Sequence, residues 1–447
     1  MEKVLVRFAP SPTGLLHVGN VRIALFNYLY TKKNDGKFIL RIDDTDRERS
    51  TQAFEDFIFE DLKWLGIQWD EVYRQSDNIE KYQKAIDYLK EIGRVYPCYE
   101  KKEELSLKRK IQISTGKAPV YDRAALKMSG EKRKELKNAG INPYWRFKLN
   151  DSEIAQWNDL VHGEVSIPLN SVSDPILVKP DGSFVYAFAS VVDDINMGIT
   201  HIIRGDDHIT NTAVQIDIFK ALSGKIPDFA HIPLLSSLDG QDVSKRSGSS
   251  LSVGNMRNEG IEARAIVCIL ATLGTSDNVC ASDNYDSLIN KFSFGKISLS
   301  PPKFNLEEAK ALAKKILGTK TFSEVKSSLE KMNLENISEK FWYTIRENLS
   351  SLQDAVLWDK VLSDKNIAVK EDKVFVDQML KSLQYPFNFD QWISDLKQIS
   401  NRKGKDLFHP IRLVLTGIDH GPELKKITEL MGYERVKKRI ESNLTTE

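Results

Sequence analysis

The sequence predicts an α/β fold in which a doubly wound, Rossmann-type domain comes first and a mostly helical region follows. Strand, helix, strand and helix alternate over the first 66 residues, as expected for a parallel sheet covered by helices. A strand at residues 201–204 and a helix at residues 212–222 repeat this pattern later in the chain. Beyond Gly254 the sequence shows helices joined by polar loops and no further βαβ unit.

The individual elements follow from the spacing of apolar residues. A β-branched run at residues 4–8 predicts the first strand, and apolar residues at helical spacing after Gly19 predict a buried helix. The second strand is predicted at residues 37–42, and the second helix ends near Gly66. Residues 175–178 and 184–186 flank a Pro-Asp-Gly turn and predict a hairpin.

Composition limits the class of protein. With 447 residues, 41% hydrophobic and 28% charged, the chain is expected to form two to four globular domains. We find no apolar run near the ~18–20 residues that cross a bilayer, and no signal peptide in MEKVLVRF. Three scattered cysteines without a CxxC pair favour a reducing compartment, and we expect the cytoplasm.

Charge is balanced overall but not locally. The net charge of +1 excludes a globally basic nucleic-acid binder. Residues 101–150, however, contain 14 Lys and Arg against 5 Asp and Glu. This excess fits either a solvated helical surface or a patch that contacts phosphates.

Four segments contain residues that suit nucleotide chemistry. Residues 10–20 run from a strand into a helix, whose free amides attract anions, and Gly19 and His17 could approach a phosphate. Residues 41–49 form either a salt-bridged loop or a site where Asp43 holds an ammonium group.

The other two segments are individually weak. Asp193–Asp194 and residues 204–208 suggest helix caps, ribose contacts or a metal site, although the spacing is not that of a zinc motif. The Lys-Arg loop at residues 238–248 is a candidate phosphate clamp.

In order and spacing, these segments resemble the class I aminoacyl-tRNA synthetases, and among them the bacterial glutamyl-tRNA synthetases. FAPSPTGLLHVGN is similar to the HIGH region, RIDDTDRERS to the family's RIEDTDRERS, and DVSKRSG to the KMSKS loop. FVYAFASVVDDINMGITHIIRGDDHITNT resembles the segment that lines the amino-acid and adenine pockets. The resemblance covers nearly the whole chain in colinear order.

The resemblance implies an enzyme that activates glutamate with ATP and Mg²⁺ and then esterifies tRNA. It implies catalytic roles for His17, Gly19 and Lys245. It assigns to the glutamate pocket Arg7, Ala9, Ser11, Asp43, Tyr186, Ser190 and Arg204. It assigns to ATP binding Pro10, His17, Gly19, Asn20, Asp207, His208, Val243, Ser244, Lys245 and Arg246.

The sequence departs from the family pattern at Asp43, at Asp242 and at Asn20, which replaces the final His of the HIGH motif at a position that the family commonly varies. Asp43 replaces a Glu and is one methylene shorter, and Asp242 replaces the first lysine of the KMSKS loop, where an acid is unfavourable near a triphosphate. Some relatives carry zinc in the inserted region, but Cys98 alone cannot supply a ligand set, so we predict no zinc.

The resemblance also implies a domain scheme and partners. We expect a catalytic domain at residues 1–80 and 181–250, with an inserted acceptor-end-binding domain at 81–180. A stem-contact helical domain at 251–320 and an anticodon-binding domain at 321–447 would follow. We expect a monomer that binds tRNA, L-glutamate and ATP and no membrane. Basic groups expected on RNA, or else solubilising helix surfaces, are Lys403, Lys405, Arg412, Lys425 and the cluster at 435–439.

Other functions remain open at this point. A copy of the enzyme could charge tRNA-Gln with or instead of tRNA-Glu. An enzyme that glutamylates a modified base in tRNA-Asp resembles the catalytic half, and the long helical C-terminal region argues against it. Asp43 and Asp242 motivate a third reading, a tRNA-binding protein that has lost catalysis.

Overall fold

The computed structural model describes residues 3–237, 251–281, 284–334, 337–363 and 371–445. They belong to two compact units, Met1–Met256 with Val267–Asn305, and Arg257–Ile266 with Leu306–Glu447. Within the described ranges, no helix is both long enough and apolar enough to cross a membrane.

The bounds of the elements in this part of the chain are as follows. The strands are β1 (Leu5–Phe8), β2 (Lys37–Ile42), β3 (Glu71–Arg74), β4 (Val95–Cys98), β5 (Tyr144–Phe147), β6 (Ile154–Asp159), β7 (Gly163–Pro168), β8 (Ile176–Val178), β9 (His201–Gly205), β10 (Asp228–Ile232), β11 (Ser236–Ser237) and β12 (Lys303–Phe304). The helices of the first 300 residues are α1 (Val18–Lys33), α2 (Gln52–Trp64), α3 (Ile79–Glu91), α4 (Lys102–Ser114), α5 (Gly130–Asn138), α6 (Tyr186–Met197), α7 (Ile209–Ala221), α8 (Val253–Asn258), α9 (Ala263–Thr272) and α10 (Tyr285–Lys291). The remaining helices are α11 (Leu306–Thr319), α12 (Phe322–Lys331), α13 (Glu339–Ile345), α14 (Ala355–Leu362), α15 (Lys373–Lys381), α16 (Phe389–Ser400), α17 (Lys405–Thr416) and α18 (Leu424–Thr445).

A five-stranded parallel sheet organises the first unit. The strand order is β10-β9-β1-β2-β3, and every neighbouring pair is parallel. The chain therefore adds β2 and β3 on one side of β1, and β9 and β10 on the other. Such a reversal creates a crevice at the carboxyl ends of the strands, where α/β proteins bind ligands. The predicted doubly wound domain is confirmed.

Helix α1 follows β1 and is buried around most of its circumference, as its all-round apolar pattern predicted. Its buried side chains include Val21, Ala24, Leu25 and Phe26, and also the charged Arg22. A helix packed in this way is held by its neighbours on several sides. Its first turn is therefore a fixed feature of the molecule.

The chain between α3 and α6 forms antiparallel structure beside the parallel sheet. β4, β5 and β8 make a three-stranded sheet, while β6 and β7 pair from Ile154 with Pro168 to Asp159 with Gly163. Helices α4 and α5 bury none of their residues. Much of the predicted basic excess thus lies on open helical surfaces.

The hairpin predicted at residues 175–186 forms over a shorter range than predicted. Val178 pairs with Phe184 across the Pro-Asp-Gly turn, and the amides of Lys179 and Val185 donate to the carbonyls of Ser183 and Leu177, but Tyr186 begins helix α6. The aromatic, apolar run at residues 184–186 also fits a strand, because the periodicity of so short a run does not distinguish a strand from a helix. The helical conformation is favoured because it buries the side chains of four apolar residues, Phe188, Ala189, Val191 and Val192.

The second unit is helical in the part of the chain described, as predicted. Its core contains the fully buried Trp342 and Trp392, whose indole nitrogens donate to the carbonyls of Lys320 and Met379. One predicted RNA contact is wrong here. Arg439 is 4% exposed and donates to the carbonyls of Val361, Ser363 and Leu415, so it ties helices together.

Candidate active site

A cavity of about 580 Å³ opens at the carboxyl ends of the central strands. Residues after β1, β9 and β10 and the first turn of α1 line it. The predicted residues among its lining are Arg7, Ala9, Pro10, Ser11, His17, Gly19, Asn20, Tyr186, Arg204, Asp207 and His208. The residues expected to hold the amino acid and the nucleotide therefore face one space.

Other predicted residues lie elsewhere. Asp43 and Ser190 are buried and are not among the residues that line the cavity. Ser190 accepts a hydrogen bond from Gln215, which in turn accepts one from Arg204. The predicted loop residues Val243, Ser244, Lys245 and Arg246, and the divergent Asp242, fall outside the described part of the chain.

His17 caps helix α1 with its own side chain. Its Nδ1 atom accepts from the backbone amides of Gly19 at 3.1 Å and Asn20 at 3.4 Å. The Asn20 side chain accepts from the His17 amide, which completes a reciprocal cap. Because Nδ1 is an acceptor, the proton of the neutral ring lies on Nε2.

Burial of the His17 side chain sets its charge. It lowers the pKa of His17 to about 4, so the ring is neutral at physiological pH. Gly19 is needed for the arrangement, since a Cβ there would lie 2.9 Å from the imidazole. His17 is thus a fixed, neutral N–H donor beside the positive end of a helix dipole.

Behind the cavity, two arginines and two aspartates cancel each other's charges. Arg7 donates from Nε and Nη2 to Asp194 at 2.9 and 3.3 Å. Arg41 donates to both oxygens of Asp43, at 2.7 and 3.1 Å, and to Asp194 at 2.9 Å. Burial raises the pKa of Asp43 to about 6, which still leaves this carboxyl ionised at pH 7.

Arg204 is held differently. It is 6% exposed, and its Nη2 donates to Thr212 at 2.6 Å and Gln215 at 2.7 Å. Its Nε donates to His231 at 3.4 Å. These partners are neutral, and Nη1 has no hydrogen-bond partner among the described residues. Burial lowers the pKa of Arg204, and the interactions of its guanidinium with Tyr186 and Asp194 offset only part of this effect.

The electrostatic consequence is specific. A buried guanidinium with a spare nitrogen attracts an anion such as a carboxylate. Tyr186 lies close enough to interact with Arg204 and lines the same cavity. The cavity thus places a buried arginine, which suits a carboxylate, in the same space as a helix N-terminus, which suits a phosphate.

Comparison with known proteins places this site in a family. A family model described as "tRNA synthetases class I (E and Q), catalytic domain" matches residues 3–311. The chain belongs to this family. A second model, described as "Anticodon binding domain", matches residues 376–444 of this class I synthetase.

Relatives of the synthetase match it from end to end. "Glutamate–tRNA ligase 2" of Bartonella henselae is 46% identical, with 98% of this chain and 99% of the relative covered. "Glutamate–tRNA ligase 2" of Hyphomonas neptunium is 45% identical, with 98% and 100% covered. The crystal structure of a glutamate tRNA ligase from Elizabethkingia meningosepticum in complex with its amino acid has a TM-score of 0.83 and 28% identity over 100% of both chains.

Sequence reasoning missed one charged residue of the cavity. Arg22 lines it from the second turn of α1, donates to the carbonyls of Pro233 and Leu273 at 2.8 Å each, and keeps its Nε without a hydrogen-bond partner in the described ranges. Burial lowers the pKa of Arg22 to about 10. An arginine within an otherwise apolar helix was the available signal.

The region where some relatives carry zinc holds a hydrogen-bonded cluster in this synthetase. Tyr121 donates to Glu100 at 2.5 Å, Tyr144 donates to the other oxygen at 3.1 Å, and the Cys98 sulfur lies 3.8 Å from the Tyr121 hydroxyl. The described residues contain no group of three or more His, Cys, Asp or Glu side chains arranged to hold a metal.

Proposed function

We propose that this chain is a glutamate–tRNA ligase. It activates L-glutamate with ATP to form glutamyl-adenylate and pyrophosphate, and then transfers the glutamyl group to the 3′-terminal adenosine of tRNA-Glu. The observation that carries the proposal is the buried Arg204 guanidinium, whose direct hydrogen-bond partners are neutral, in the cavity that also contains the His17 cap. The full-length similarity to named glutamate–tRNA ligases supports the same activity.

In the proposed complex, the side-chain carboxylate of glutamate binds Arg204 Nη1, with Tyr186 beside it. Glutamine would put a neutral amide there and leave the buried cation without an anion, a selection that can be worth several orders of magnitude. Arg7, Ala9 and Ser11 border the amino acid on the β1 side.

ATP would lie over the first turn of α1. His17 donates its Nε2 proton to a phosphate oxygen, and Asp207 and His208 border the nucleoside. The α-carboxylate of glutamate attacks the α-phosphorus and pyrophosphate leaves, so no protein nucleophile or base is needed. Lys245 would stabilise the charge on the α-phosphate. Mg²⁺, bound by the phosphates themselves, would neutralise part of the triphosphate charge.

We assign the other parts of the chain by the same proposal. Residues 81–180 would contact the acceptor end of tRNA, 251–320 its stem and 321–447 its anticodon end. We expect the enzyme to act as a cytoplasmic monomer. The match of residues 376–444 to an anticodon-binding domain also disfavours an enzyme that resembles the catalytic half alone.

ATP–pyrophosphate exchange in the presence of tRNA tests the proposal. We expect exchange with L-glutamate and, at equal concentration, at least about 100-fold less with L-glutamine. Charging of separately purified tRNA-Glu and tRNA-Gln then identifies the tRNA. Transfer to tRNA-Gln alone would favour the altered-specificity copy, and absence of exchange at saturating substrates would favour a catalytically inactive tRNA-binding protein.

A further inference from the structure

The partners of Arg204 lead to a second buried pair further from the cavity. His231, at the end of β10, accepts from Arg204 Nε at 3.4 Å and lies 2.8 Å from the Thr212 hydroxyl. On its other side, His231 Nδ1 lies 2.5 Å from Asp159 Oδ2. Both side chains of this pair are 0% exposed. Asp159 is the last residue of β6, in the antiparallel part of the first unit.

Asp159 is itself held in one orientation. Its Oδ1 atom accepts from the backbone amides of Val161 and His162, both at 3.1 Å, and of His231 at 3.2 Å. Its Oδ2 atom accepts from the Trp157 indole at 3.3 Å and faces the His231 ring. Five donors thus converge on one carboxylate, whose pKa is lowered by the hydrogen bonds from His231 although burial alone would raise it.

This geometry fixes the tautomer of His231. A carboxylate can only accept, so His231 Nδ1 carries the proton and donates it to Asp159. Nε2 then presents a lone pair to Arg204 Nε–H and to the Thr212 hydroxyl. Burial lowers the pKa of His231, so the ring stays neutral at physiological pH.

We propose that Asp159 and His231 are a positioning pair that orients Arg204 without cancelling its charge, and so set the preference of the pocket for an amino acid with a side-chain carboxylate. The inference rests on the proposed function. A carboxylate bound directly to Arg204 would compete with the substrate, as Asp194 and Asp43 occupy Arg7 and Arg41. The imidazole of His231 supplies an acceptor to Arg204 and separates Arg204 from the carboxylate of Asp159.

The substitution Asp159→Asn tests the pair with little change in size. Because three backbone amides select an oxygen at the Oδ1 position, the new amide nitrogen must face His231 Nδ1. Nδ1 then has to accept and the ring proton moves to Nε2, where it can donate to Thr212 Oγ1, whose own proton turns to the His208 carbonyl at 3.1 Å. Arg204 Nε–H thereby loses its acceptor. We expect the KM for glutamate to rise about 10- to 100-fold and the preference for glutamate over glutamine to fall similarly. The KM for ATP should change less than about 2-fold, since in the proposed complex Arg204 binds the amino acid and His17 binds the phosphates.

Asp174→Asn is the matched control. Asp174 is 2% exposed, lies in the same antiparallel region and accepts from Tyr96, Arg123 and the Leu149 amide, whereas the hydrogen-bond partners described for Arg204 and His231 are other residues. It should lower stability and leave the KM for glutamate unchanged. An equal rise in that KM in Asp174→Asn would overturn the inference, because general damage to the region would then explain both variants.

The tautomer can be measured without any substrate. We expect two-bond ¹H–¹⁵N correlation spectra of histidine-labelled protein to show His231 protonated on Nδ1 in the wild type and on Nε2 in Asp159→Asn. The variant His231→Phe assigns the signal. Protonation on Nε2 in the wild type would overturn the inference, as would a switched tautomer with an unchanged KM for glutamate. Absence of glutamate-dependent exchange in the wild type would instead remove the proposed function together with this inference.

Discussion

Arginines at the same end of one sheet serve different purposes according to their partners. Arg7 and Arg41 face carboxylates and form a neutral, rigid network, whereas Arg204 faces a hydroxyl, an amide and an imidazole. Ion pairs that are already complete have little to offer a ligand. The chemistry of the neighbours, more than the presence of an arginine, is therefore the reason that we propose Arg204 as the residue that binds the substrate carboxylate.

Arg204→Lys should separate charge from shape. Lysine keeps a positive charge but lacks the planar fork, so its single ammonium group cannot both contact Thr212 and Gln215 and bind the substrate carboxylate. We expect kcat/KM for glutamate to fall about 100-fold or more in ATP–pyrophosphate exchange, with the KM for ATP nearly unchanged. A loss below about 5-fold would place the carboxylate elsewhere.

His17 allows a prediction about acid stability. Its pKa is about 4 in the folded protein against 6.5 unfolded, so the unfolded chain binds more protons between these values. The wild type should therefore lose stability relative to His17→Asn as pH falls through this window, by up to about 3 kcal/mol. Asparagine keeps a helix cap but does not titrate.

Urea unfolding of both proteins at neutral and mildly acidic pH measures this difference. Comparison of the wild type with His17→Asn removes the contributions of other groups to the pH dependence. Asp43 is one such group, because its raised pKa makes the folded state more stable as pH falls. A constant difference across the window would show that the His17 ring titrates normally.

The sequence could reveal those site residues that lie together in a short motif, but not those that depend on contacts between distant parts of the chain. His17, Gly19 and Arg204 lie in short motifs whose family pattern is visible in the letters themselves. The Asp159–His231 contact joins residues 72 positions apart, and neither belongs to a quoted motif. Asp43 matched a motif, yet its pairing with Arg41 depends on side-chain packing, which a motif does not encode.

At the level of elements, the periodicity of apolar residues predicted the helices and strands that are buried on one face or on all sides. β2 was predicted at its observed bounds, and α1 at its observed start within one residue. The β6–β7 hairpin and the short strand β4 were not predicted. Their apolar residues are few, and pairing with distant partners stabilises them.

The Glu100 cluster should contribute to the stability of the antiparallel region. Glu100→Ala removes the acceptor for the hydroxyls of Tyr121, which is partly buried, and Tyr144, which is buried, and leaves both to find other partners. We expect a loss of about 1–3 kcal/mol in the free energy of unfolding, measured by urea denaturation. A chelator should leave the melting temperature unchanged, because we predict no zinc. A drop with chelator would contradict that prediction.

For the molecule as a whole, the near-zero net charge makes the local excess in residues 101–150 the expected electrostatic contact with tRNA. Lys110 and Lys117 are both exposed in this segment. If both contact phosphates, Lys110→Ala/Lys117→Ala should reduce the slope of log affinity against log salt by about 1.5.

The matched control is Lys3→Ala/Lys63→Ala, which removes two exposed lysines of the first unit outside that segment. Filter binding of tRNA over a range of salt concentrations measures both slopes. Equal slopes for the two double variants would mean that the basic segment is a solubilising surface.

The position of β1 in the centre of the parallel sheet has a consequence during synthesis on the ribosome. β1, β2 and β3 are complete by residue 74, but β9 pairs with the other edge of β1 through Val6 and His201. At typical elongation rates, that edge emerges roughly 10–40 s before its partner. The nascent protein therefore exposes an unpaired strand for longer than its early domain needs to collapse, which makes it a natural client for chaperones that shield such edges.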